Sequence, residues 1–83
     1  MPIRVREKNP QQERMEAIYA FIELFYIQQG MTPTQREIAD ECYLSRGTVL
    51  RYLDLLEARG LIERTPFKAR SIRLVKSPQR NRL

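Results

Sequence analysis

Three helices closed by a small β-hairpin is the architecture this chain predicts: a mainly α domain with a two- or three-stranded sheet. Three observations carry that expectation. Residues 34–62, TQREIADECYLSRGTVLRYLDLLEARGLI, hold two amphipathic helical patterns, each opened by a hydroxyl residue and separated by a tight break. A longer helical pattern precedes them, from Asn9-Pro10 to Gly30. After Gly60 the periodicity changes to alternation, in two short apolar and basic stretches. Helix, turn, helix, then basic hairpin is the order of a winged helix-turn-helix, an arrangement that places a helix in the DNA major groove.

The first helix is predicted over residues 10–29. Asn9 is the N-cap and Pro10 takes the first helical position, where its missing N–H costs nothing. Gln12 stands where a capping-box partner would reach back to Asn9. Gly30 is the C-cap that tolerates a left-handed backbone. Met15, Ile18, Tyr19, Ile22 and Tyr26, with Phe25 beside them, recur at three- and four-residue spacing and form the core stripe. A second apolar set, Ala17, Ala20, Phe21, Leu24 and Ile27, lies away from that stripe. A surface helix of a small domain normally keeps that side polar. The expected cover is a second copy of the chain; the alternative is one of the chain's own tails.

Met31-Thr32-Pro33 reads as an extended linker, because proline disfavours helix in the residue before it. Thr34 and Glu37 make a capping box that opens a second helix over residues 35–42, with Ile38, Ala39 and Cys42 facing inward. Tyr43-Leu44 is the turn, Leu44 its apolar plug, and Ser45 the cap of a third helix over residues 46–59. Val49, Tyr52, Leu53 and Leu56 share its core face. Residues 61–64 and 71–75 are predicted strands with Ile62, Ile72 and Leu74 inward, and residues 65–70 form the wing between them. Phe67 in that wing is expected to pack under the hairpin, a wedge being its other reading.

Candidate contact residues follow from this layout. A recognition helix offers its N-terminal residues to base edges, which selects Arg46, Gly47, Thr48, Leu50 and Arg51. Arg51 can pair bidentately with guanine, worth about 1–3 kcal/mol of discrimination; a surface ion pair with Asp54 is its plainer role. Gly47 would permit close approach to the groove, and Leu50 could meet a thymine methyl. Ser45 and Thr48 hydroxyls suit a phosphate oxygen at a helix N-terminus, and Thr34 and Gln35 occupy the same place on the second helix. Lys68 and Arg70 at the wing are expected on phosphates or in the minor groove.

Charge is segregated along the chain. Residues 9–63 carry five basic and nine acidic side chains, whereas from Arg64 onward there are seven basic residues and no acidic one. A basic wing and tail beside an acidic body suggests a polyanion partner; a solvated basic tail is the bland alternative. Residues 1–8 are expected as a flexible basic arm, residues 9–75 as the domain, and residues 76–83 as a flexible basic tail. One cysteine and no histidine leave neither an intramolecular disulfide nor a plausible metal centre. With no apolar stretch near membrane-spanning length and no secretory signal, a cytoplasmic place in a bacterial or phage-type cell is expected. Neither an enzyme nor a small-molecule ligand or cofactor is expected: there is no Gly-rich phosphate loop and no paired-carboxylate site.

The run from Gly30 to Glu63 resembles the winged helix-turn-helix domain of the LexA repressor family. Gly30, Met31, Pro33, Thr34, Glu37, Ile38 and Ala39 match its G-M-x-P-T-x-x-E-I-A motif. The likeness continues at Ser45, Leu53, Leu56, Gly60 to Glu63, and Ile72-Arg73-Leu74. The run from Ser45 to Ile62 is also shared with MarR-like and GntR-like winged helices. What the resemblance implies is a dimeric repressor on a palindromic operator, reading bases from positions matching Gly47, Thr48, Leu50 and Arg51. Tyr43 stands where that family commonly has a glycine, which puts the turn geometry in question. The family's self-cleaving peptidase half, which supplies its dimer contacts, has no counterpart in these 83 residues. Helix 1 is expected to dimerise in its place. The function expected is a sequence-specific transcription regulator on double-stranded DNA, most simply a repressor. The alternative is a protein-interaction or replication-accessory winged helix with weak DNA contact.

Overall fold

The computed structural model describes residues 9–76 and residue 78. The arm over residues 1–8 and nearly all of the tail expected beyond residue 76 lie outside the described residues. Three helices, α1 (Pro10–Gln29), α2 (Gln35–Cys42) and α3 (Arg46–Ala58), precede two strands, β1 (Ile62–Arg64) and β2 (Ile72–Leu74). The strands pair antiparallel, with Ile62 opposite Leu74, Glu63 opposite Arg73 and Arg64 opposite Ile72. The fold is the expected winged helix-turn-helix, with two strands in its described sheet. Both strands are shorter than the alternation suggests, and α3 stops one residue early.

The caps explain the boundaries. Asn9 Oδ1 accepts the Gln12 backbone N–H at 2.7 Å. The Gln12 side chain reaches forward to Glu16 rather than back to Asn9, so this cap is one-sided. Gly30 takes φ 78° and its N–H donates to Tyr26 O at 2.8 Å, closing α1. At α2 the capping box is complete: Thr34 N–H donates to Glu37 Oε1 at 2.8 Å and Glu37 N–H to Thr34 Oγ1 at 3.1 Å. Ser45 Oγ accepts the Thr48 N–H at 3.2 Å and opens α3.

One core sits where the three helices and the sheet meet. Ile18 and Ile22 of α1, Ile38 of α2, Val49, Leu53 and Leu56 of α3, and Ile62 of β1 are all fully buried there. Ile72 and Leu74 close it from β2, as their alternation predicts. Cys42 is only half-buried at its margin; desolvation and then the nearby Glu41 raise its thiol pKa. The linker belongs to this packing too. The buried Thr32 hydroxyl donates to Ile72 O at 2.5 Å, tying the α1–α2 connection to β2.

Turn geometry at Tyr43 is resolved: it adopts the left-handed conformation, φ 57° and ψ 46°, with its side chain 93% exposed. Leu44 N–H donates back to Ala39 O at 3.0 Å, and the Leu44 side chain packs against the core. Docking that plug requires the chain to reverse at residue 43, whatever residue stands there.

Candidate nucleic-acid interface

Helix α3 has two unlike sides. Val49, Tyr52, Leu53 and Leu56 are buried. Arg46, Gly47, Leu50 and Arg51 are exposed at its N-terminal half, and Thr48 is half-buried beside them. Leu50 leaves 40% of its surface in solvent, an apolar group held outward among polar ones. A Cβ built on Gly47 meets nothing within 4 Å. Packing within the described chain therefore does not demand glycine there.

Arg51 does not make the ion pair with Asp54 that spacing allowed. Asp54 instead accepts from Arg64 of β1, which also bonds Glu57 at 3.0 Å. Burial works against the Arg64 charge, and its hydrogen bonds to Asp54 and Glu57 outweigh that and raise its pKa. The Arg51 guanidinium lies 5.9 Å from the Tyr52 ring, and the residue is exposed. Ser45 and Thr48 partner each other, Ser45 Oγ donating to Thr48 Oγ1 at 2.9 Å. Thr34 is committed to its capping box. Gln35, half-buried, lines a groove of about 310 Å³ between the body and the wing, with Glu57, Arg64 and the wing tip around it.

The wing differs from its sequence reading in two ways. Arg70, expected on DNA, stays exposed but is engaged by the body: Nη1 donates to Thr32 O at 2.9 Å and to Glu37 Oε1 at 2.8 Å, and Nη2 to Glu37 Oε2 at 3.1 Å. Its guanidinium also stands 5.8 Å from the Phe25 ring. The Arg70 hydrogen bond, with the Thr34 backbone next, lowers the Glu37 pKa. Arg73 pairs with Glu63 on the facing strand. Three wing arginines are thus internal ties, and among the described wing residues Lys68 is the cation outside any ion pair. The second correction is Phe67. It packs under nothing: its side chain is fully exposed and its backbone is left-handed, φ 65°. A hydrophobic side chain argued for burial, but at the wing tip no described residue covers it.

On α1, Ala17, Ala20, Leu24 and Ile27 lie exposed, Leu24 to 51% and Ile27 to 36%. Phe21 departs from that set. It is half-buried against the core, with its ring edge-on to Phe25 at 5.8 Å. Met31, just beyond the helix, is a further exposed apolar residue. Among the described residues no helix is long and apolar enough to cross a membrane, and no group of three or more His, Cys, Asp or Glu is placed to hold a metal.

Residues 20–70 match the family profile described as MarR family. The chain is also similar to LexA repressors. It is 44% identical to that of Clostridium acetobutylicum over 62 residues, covering 74% of this chain and 30% of the relative. It is 38% identical to that of Clostridium kluyveri over 71 residues, covering 84% and 35%. The Thermotoga maritima protein is 38% identical over 65 residues, covering 78% and 33%. The chain therefore spans about a third of the length of these relatives. With the fold and these matches together, the chain belongs to the MarR family of winged-helix domains and is homologous to LexA repressors.

Proposed function

We propose that this domain is a sequence-specific transcription regulator, most simply a repressor, that reads double-stranded DNA with the N-terminal half of α3. The observation that supports this best is the outward face of that helix. Arg46, Gly47, Leu50 and Arg51 project from a helix whose other face is fixed in the core. Asp54, the acid within reach of Arg51 on its own helix, is drawn off by Arg64. Arg51 is thus left to pair with a base edge, and Arg46 with base or phosphate. Thr48 and Gln35 stand in the first turns of α3 and α2, where a hydroxyl and an amide donor suit phosphates, while Ser45 and Thr34 cap those helices. The LexA name of the relatives supports the same reading.

The protein acts as a dimer, its exposed α1 strip of Ala17, Ala20, Leu24 and Ile27 meeting the same strip of a second copy. A two-fold protein then faces an inverted-repeat site, one α3 per half-site. Anisotropy titrations of a labelled duplex at several salt concentrations test the DNA reading. Each neutralised phosphate contributes a slope of about −0.9 in log K against log salt. A slope equivalent to several phosphates, with Arg51→Ala weakening the preferred site more than an unrelated duplex, is expected. Binding that ignores salt, or none, would refute it.

A further inference from the structure

Phe67 sits at the wing tip in a left-handed conformation that glycine adopts freely, with its ring entirely in solvent. Both facts disfavour phenylalanine, and nothing in the described fold offsets either. The surrounding chemistry narrows what would. Arg64, Arg70 and Arg73 are engaged by Asp54 and Glu57, by Glu37, and by Glu63. A groove-probing arginine from this wing would have to break an internal tie first. What the tip presents instead is Pro66, Phe67 and Lys68, all exposed. Phenylalanine and proline are among the residues that proteins wedge between base steps from the minor groove, and a lysine beside them suits a phosphate.

The wing is also held in register with α3. Arg64 fastens β1 to α3, Arg70 fastens the end of the loop to α2, and Thr65 N–H donates to Ser71 O at 3.0 Å across its base. We propose that Phe67 is an apolar wedge that enters the minor groove beside the major groove occupied by α3, prising a base step and bending the duplex. This rests on α3 being the DNA-reading helix.

The test uses duplexes isolated by selection from a random library, end-labelled for energy transfer, with a flexible TA step or a stiff A-tract beneath the wing. Phe67→Gly, which relieves the backbone and should fold at least as well, is expected to bind about tenfold more weakly or worse. It should also bend the DNA less, while its salt slope and its base preferences under α3 stay unchanged. Phe67→Leu should keep most of the affinity, and the wild type should favour the TA flank. Lys68→Gln should instead lower the salt slope by about 0.9. Phe67→Gly binding and bending DNA like the wild type would overturn the proposal and point to a protein partner for the tip. A wild type that binds no duplex would overturn the reading of α3 as well, which separates the two failures.

Discussion

Tyr43 and Gly60 occupy equivalent places. Both helices α2 and α3 end with a left-handed residue followed by a leucine whose N–H reaches back at 3.0 Å, Leu44 to Ala39 O and Leu61 to Leu56 O. Only the second uses glycine. A left-handed L-residue costs roughly 1–2 kcal/mol, of which glycine's greater freedom in the unfolded chain takes back part. Tyr43→Gly should therefore stabilise the domain by about 0.5–1 kcal/mol in urea denaturation. An unchanged midpoint would mean that the exposed ring contributes something the geometry does not reveal. Gly47 gives the reverse case. With open space around it, Gly47→Ala should raise helix stability by up to about 0.5–1 kcal/mol. It should nevertheless weaken DNA binding if glycine is there for close approach. Stability and affinity, measured on one preparation, separate those effects.

At the level of elements, the wing is stapled to the helices by ion pairs that join distant residues. Arg70 and Glu37 are 33 positions apart, and Arg64 and Asp54 are ten. The Thr34–Glu37 box receives Arg70 directly, so the cap of α2 is also the anchor of the wing. Thr34→Ala should cost about 1 kcal/mol by loss of the cap. Glu37 carries a pH dependence of definite sign. Its folded pKa is lowered from the usual glutamate value by the Arg70 hydrogen bond. Its contribution is complete above that value, where both folded and unfolded chains hold the carboxylate. As pH falls, the unfolded chain takes up the proton first, and the contribution disappears through the lowered folded pKa. The stability gap between wild type and Glu37→Gln should thus be widest near neutral pH and close as the medium is acidified through the lowered folded pKa, as urea denaturation across that range would show. Helix limits were legible because caps are local: Asn9-Pro10, Thr34-x-x-Glu37 and Ser45 each announce a start within four residues. The staples were not, because spacing alone could not reveal that Arg64 claims Asp54 or that Arg70 pairs with Glu37. Hydrophobicity also misplaced Phe67, since no periodicity records how far a wing tip stands from its core.

Across the whole molecule, charge and apolar surface divide the labour. The core takes one stripe of α1, and Ala17, Ala20, Leu24 and Ile27 remain outside it. Leu24→Glu with Ile27→Glu should give a folded monomer by sedimentation at tens of micromolar, where the wild type is expected to be dimeric. Both sites are exposed, and glutamate is a good helix former. A wild type that is already monomeric would rule out the α1 dimer. The most direct test of the central claim is selection of bound duplexes from a randomised library at near-physiological salt, with Arg51→Ala in parallel. Enrichment of an inverted repeat, relaxed at one position of each half-site in the variant, is the expected result. Recovery of duplexes with no shared sequence, or of none at all, would contradict it.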